Sequence, residues 1–230
     1  LMNKNGTNLI FLDFETDTNG NYFIVGKKIN GEFEQVVLNS ELSGLATKHG
    51  FRETTPKKFI SSVLDDVAEN SIVVGYSMAE RDLIRGILGV DGEKKFPNLQ
   101  YLNLLKVAKS WIKEFKKREF DALPPFRKDP KRWNYKNLRY SLASVMRLTE
   151  LLPPADYAPG KTSTKFKAVL EALKKNDQNY ASLTAKQKKK ATECLKHNKF
   201  DVEALEVLHN ECWETKDALI NRQIKPLFEM

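Results

Sequence analysis

Two carboxylates, one residue apart, close the first apolar run of the chain, Asn8-Leu9-Ile10-Phe11-Leu12-Asp13-Phe14-Glu15-Thr16. Leu9 to Phe14 reads as a buried strand, dense in apolar and aromatic side chains. Side chains alternate faces along a strand, so Asp13 and Glu15 point one way and Phe14 the other. Two acids on one face of a core strand need compensation, because unpaired buried charge is costly and neighbouring carboxylates repel. A divalent cation removes both penalties. Hard oxygen ligands at this spacing suit Mg²⁺ or Mn²⁺. The alternative is that the strand ends at Leu12 and both acids are solvated turn residues.

The remaining pattern places that strand in a sheet. Tyr22 to Lys28 and Phe33 to Asn39 read as two further strands, with Asn30-Gly31 as the hairpin turn between them. The opening is therefore an expected antiparallel meander of three strands. Thr55 as N-cap and Pro56 at the first helical position open a helix through Glu69. Ser71 to Tyr76 is a short strand, followed by a helix from about Met78 that Gly89 stops. Gln100 to Leu105 reads as a strand running into a helix over 106–115. The segment 116–136 carries Pro124, Pro125 and Pro130 with dense charge, and reads as a loop or insertion. Helices are expected over 138–148, 164–174 and 184–213, the last with a kink. A hairpin followed by βαβ units predicts an α/β fold: a mixed sheet flanked by helices. Ligand sites in such sheets lie near strand carboxyl ends, where Asp13 and Glu15 fall.

With 230 residues the chain fits one large domain, here 1–230 with insertions near 116–136 and 151–190. No apolar run reaches the length of a membrane span, and no charged-then-apolar leader opens the chain. The opening Leu1-Met2 reads as an expression scar or the edge of an excised domain. Cys194 and Cys212 have no zinc-type spacing, which leaves free thiols in a reducing compartment. The expected location is intracellular, in the cytoplasm. A formal charge of +8 fits a polyanionic partner.

Two later stretches supply further candidate ligands. In Val74-Gly75-Tyr76-Ser77-Met78-Ala79-Glu80-Arg81-Asp82-Leu83, Glu80 lies three and four residues before Leu83 and Ile84, and shares their face. Glu80 is the preferred candidate and Asp82 the alternative. An ordinary acid favoured by the helix N-terminus is the structural explanation. In the second stretch, His197 and Asp201 stand one helical turn apart on one face. They form either a metal-ligand and general-base pair or a surface contact.

Together these pieces resemble the DEDD superfamily of 3′–5′ exonucleases, which has a ribonuclease H-like fold. Phe11-Leu12-Asp13-Phe14-Glu15-Thr16 is similar to the family's first-strand D-x-E motif. Val74 to Glu80 is similar to the second in spacing, with Glu in place of the usual Asp. His197 and Asp201 are similar to the third, although four residues is the spacing of the family's Tyr subclass. Leu138-Arg139-Tyr140-Ser141-Leu142 looks like the helix start that often precedes it. The resemblance implies a ribonuclease H-like sheet and hydrolysis of DNA or RNA phosphodiesters at a single-stranded end. It also implies two Mg²⁺ or Mn²⁺ ions, roughly 3.5–4 Å apart. Asp13 would then bridge the ions, Glu15 and Asp201 would hold one, Glu80 would reach the other, and His197 would orient or deprotonate the nucleophile. A catalytically weak nucleic-acid-binding module on the same fold is the alternative.

Between Lys113 and Arg139, ten basic residues face four acidic ones. Arg127, Lys128, Lys131, Arg132, Trp133 and Tyr135 combine cations for phosphates with aromatics for stacking, the pattern of single-strand binding. The competing explanation is a solvated loop whose aromatics plug the core. Lys186 and Lys188 to Lys190 read as a solvated helix face.

Overall fold

The computed structural model describes residues 8–17, 19–67, 71–124, 139–154, 157 and 161–228. Strand β1 (Asn8–Thr16) lies at the centre of a mixed seven-stranded sheet. It pairs antiparallel with β2 (Tyr22–Ile29), which pairs antiparallel with β3 (Glu32–Val37). Asn30 and Gly31 turn that hairpin at φ 52° and 85°, the double positive φ that Asn-Gly accepts most readily. On its other side β1 runs parallel to β5 (Ser71–Gly75), and β5 parallel to β6 (Gln100–Asn103). Two short strands complete the edges, β4 (Arg52–Glu53) beside β3 and β7 (Ile224–Pro226) beside β6. The order across the sheet is β4-β3-β2-β1-β5-β6-β7. The α/β class and the three-strand meander match the sequence reading, whereas β4 and β7 went unread because two or three residues carry no period.

Helices cover both faces, and the strand alternation decides which residues meet which helices. Ile10, Leu12, Val73 and Tyr101 form one face, against Phe59, Ile60 and Val63 of α2 (Pro56–Val67) and Ile84 and Leu88 of α3 (Met78–Lys95). Leu9, Phe11, Val74 and Leu102 form the other. They pack on α4 (Leu104–Trp111), on α6 (Leu142–Met146) and on Val202, Leu205 and Leu208 of α8 (Ala185–Asn221). A third core joins Phe23 and Val37 to α1 (Ser43–His49) and α7 (Thr162–Lys174), through Leu45, Phe166 and Leu173.

Several helix boundaries differ from the sequence expectation for local reasons. Gly89 breaks α3 at φ 61°, ψ −161°, a conformation open to glycine, but helix resumes to Lys95. After α4 a π-turn (Ile112–Lys116) leads into α5 (Lys117–Ala122), so helix occupies the first part of the expected loop. Phe120 draws α5 down by packing on Tyr140. The helix expected over 138–148 covers only Leu142–Met146, because Ser141 caps it by accepting from the Ser144 N–H. In α8 the break falls at Lys216, with extended backbone. No helix among the described residues is long and apolar enough to cross a membrane.

Candidate metal centre

Asp13 and Glu15 continue the face of Leu9 and Phe11, the one covered by α8. The strand does not end at Leu12, since Asp13, Phe14 and Glu15 pair with Gly26, Val25 and Ile24 of β2. Phe14 points to the opposite core, as alternation requires. Helix α8 crosses this end of β1. His197 and Asp201 stand one turn apart on it, with His197 Nε2 3.2 Å from Asp201 Oδ2. Ligand atoms of Glu15, His197 and Asp201 all lie within 4.8 Å of one another, a group able to hold a metal ion. Glu15 and Asp201 are 9% and 8% exposed.

Asp13 is adjacent and partly buried. Its Oδ2 and its backbone carbonyl both accept hydrogen bonds from Asn198 Nδ2, at 2.8 and 3.0 Å. Glu80 approaches from the first turn of α3, where its charge acts on both Asp13 and Asp201. Its Oε2 also accepts from the Ser77 N–H and hydroxyl, each at 2.9 Å. That is a capping box, so Glu80 serves the helix start and faces the acid cluster at once. Asp82 is exposed on the far side of α3.

The electrostatics of the cluster follow from concentration of charge in a low-dielectric place. Burial, then the Glu80 charge, pushes the Asp13 carboxyl up to about 7, against the stabilising bond from Asn198. Burial also raises Glu15, followed by repulsion from Asp13 and Asp201. Asp201 rises by burial and by the charges of Asp13 and Glu80. Burial raises Glu80 too, with its Ser77 bonds opposing. His197 moves the other way, down to about 4, because burial and nearby Lys165 disfavour the imidazolium. Burial thus disfavours the charged form of both partners in the 3.2 Å His197–Asp201 contact. Among the described residues, no lysine or arginine nitrogen pairs with Asp13, Glu15, Glu80 or Asp201. A divalent cation would compensate such a set.

Two contributors were not read from the sequence. Tyr157 donates to Asp201 Oδ1 at 2.7 Å and stacks on the His197 ring, centroids 4.1 Å apart at 12°. It belongs to a segment between two proline breaks, and nothing in its sequence context marks it. Asn198 did carry a signal: it is a polar residue on the apolar stripe Cys194, Asn198, Val202, Leu205, and it is fully buried. The proposed nucleic-acid contacts Arg127, Lys128, Lys131, Arg132, Trp133 and Tyr135 lie outside the described residues. At the flanks, Lys117 and Arg139 both pair with Asp121, at 2.6 and 2.5 Å. On α8, Lys186 and Lys189 are exposed, whereas Lys188 and Lys190 are half-buried and Lys188 Nζ donates to the Ala181 carbonyl.

No protein-family model, curated protein or solved structure matches the chain. The fold and the arrangement of the site therefore carry the functional argument alone.

Proposed function

We propose that the chain is a metal-dependent nuclease, a 3′–5′ exonuclease of the DEDD type on a ribonuclease H-like fold. The observation that carries this reading is the convergence of acids from three separate elements on one end of β1. Asp13 and Glu15 come from β1, Glu80 from the start of α3, and Asp201 with His197 from α8. The strand order β3-β2-β1-β5-β6, an antiparallel meander continued by parallel strands, supports the finer fold.

Glu15, His197 and Asp201 would hold a cation, and Asp13 and Glu80, whose charges act on this group, would add ligands for it or for a second. An imidazole beside two carboxylates suits Mn²⁺ better than Mg²⁺, which prefers an all-oxygen shell. A divalent cation supplies charge relief to a phosphodiester and acidity to the attacking water. The chain's own groups do the rest. Burial and Lys165 disfavour the charged form of His197, and the neutral imidazole is the state that can accept a proton or donate a lone pair. Tyr157 fixes both the Asp201 carboxylate and the His197 ring plane.

The test is cleavage of 5′-labelled single-stranded DNA and RNA with Mn²⁺, with Mg²⁺ and with chelator. The expected result is metal-dependent stepwise shortening from the 3′ end, abolished by Asp201→Asn. Two observations favour the weaker alternative, a nucleic-acid-binding module: Glu80 already has a capping role, and among the described residues only Glu15, His197 and Asp201 draw together as a ligand group. Salt-sensitive binding without cleavage in any metal would select that alternative.

A further inference from the structure

The acids of the centre differ in how they are held. Asp13 is gripped by a buried amide system that begins two strands away. Gln35 on β3, Gly26 on β2 and Asp13 on β1 lie in one row across the sheet, as Asp13 pairs with Gly26 and Gly26 with Gln35. The Asn198 side chain lies over that row. Gln35 Nε2 donates to the Leu195 carbonyl at 3.0 Å and to Asn198 Oδ1 at 2.9 Å. Asn198 Nδ2 donates in turn to the Asp13 carbonyl and to Asp13 Oδ2.

The direction of this chain is fixed at both ends. The Leu195 and Asp13 carbonyls can only accept, so each must face an amide N–H. With Gln35 oriented by Leu195, Asn198 must turn its oxygen to Gln35 and its NH₂ to Asp13. Gly26 makes room: a Cβ there would meet Asn198 Oδ1 at 2.5 Å and Val202 Cγ2 at 2.7 Å. Gln35 is 8% exposed and Asn198 0%, so water does not compete for these bonds.

We infer that Gln35 and Asn198 form a positioning relay for the metal centre, setting the rotation of the Asp13 carboxylate through Oδ2 and so the direction of Oδ1. The same bond to the Asp13 backbone fixes the register of α8 over β1, and with it the placement of His197 and Asp201. Asn198 and Gln35 act through Asp13; neither is a ligand or a catalytic residue. The inference rests on the metal-binding reading above.

The experiment is Mn²⁺ titration by calorimetry on folded protein, with thermal melting of each metal-free variant alongside. Asn198→Ala should weaken Mn²⁺ binding about 10–100-fold, the usual cost of losing an outer hydrogen-bond partner. Gly26→Ala should weaken it without removing any polar atom, by displacing Asn198. Gln35→Met keeps Asn198, which Asp13 still orients, but leaves its Oδ1 without a donor and its plane less firmly held, and should give a smaller loss. It is also the variant expected to fold most readily, so it decides the matter if the other two do not. Lower melting temperatures with unchanged Mn²⁺ affinity in the folded variants would overturn the relay and leave a docking role only. Wild-type protein that takes up no Mn²⁺, in a way indistinguishable from Asp201→Asn, would instead overturn the metal reading and the relay with it.

Discussion

At the scale of single residues, Glu80 offers the cleanest separation of structure from chemistry. Gln at the same position preserves a capping box, while it removes the charge that acts on Asp13 and Asp201. Glu80→Gln should therefore abolish metal-dependent cleavage at nearly unchanged stability. Asp82→Asn, on the exposed side of α3, should keep most of the activity and shift stability by less than about 0.5 kcal/mol. The reverse pattern in cleavage assays would assign the ligand to Asp82. The pH dependence follows from opposite shifts in one cluster. Asp13, raised from 3.8 to about 7, keeps a proton in the fold that the unfolded chain releases, so its contribution to metal-free stability falls as pH rises through that window. His197, lowered from 6.5 to about 4, resists protonation in the fold, so its contribution falls as pH drops from 6.5 toward 4. A cation binds the deprotonated set and competes with those protons. Mn²⁺ should thus raise the melting temperature more at about pH 8 than at about pH 5.5. Equal shifts at both values would contradict the assignment.

Elements set where these residues stand. Helix α8 carries His197, Asn198 and Asp201, and its start is defined by Thr184, whose hydroxyl accepts from the Gln187 N–H while Gln187 reaches back to the Thr184 N–H. Thr184→Ala should cost about 1 kcal/mol. Against α8 lies α4, whose Trp111 is fully buried and donates its indole N–H to Thr215 at 3.3 Å. Trp111→Ala should cost about 3–5 kcal/mol, because the cavity cannot collapse beneath two helices. Chemical denaturation would rank the two, and similar losses would show that α4 and α8 are not anchored through Trp111. The helix signals legible beforehand were of the same local kind: Thr55-Pro56 opening α2, the stop at Gly89, and the 3.6-residue stripe of α8. What escaped were continuations past a breaker, since whether helix resumes after Gly89 or Lys116 depends on packing partners distant in sequence.

At the scale of the molecule, the surplus of positive charge has a specific consequence. If the chain binds a single strand as proposed, counterion release should make that affinity fall with salt, with a slope of about 0.7 per phosphate contact. Neutralising Arg127, Lys128, Lys131 and Arg132 together should weaken binding and flatten that slope. Trp133→Ala should cost about 1–3 kcal/mol of affinity if a base stacks there. A lower melting temperature at unchanged affinity would make Trp133 a core plug and the basic segment a soluble loop. Mn²⁺ affinity at the Asp13 end of the molecule should be untouched by either change.

The sequence by itself determined the alternation that puts Asp13 and Glu15 on one face, the Asn30-Gly31 hairpin and the stacking of His197 over Asp201 on a helix. Each follows from bond geometry over a few residues. Only the tertiary structure decided that α8 crosses the carboxyl end of β1, so that Glu15, His197 and Asp201 come within 4.8 Å of one another. It also decided that Tyr157, distant in sequence, reaches Asp201 and that Gln35, two strands from Asp13, is coupled to it through Asn198. Contacts of this kind link residues up to 185 positions apart. They exist because a glycine on β2 and the docking of one long helix leave room for them, and no local pattern encodes that space.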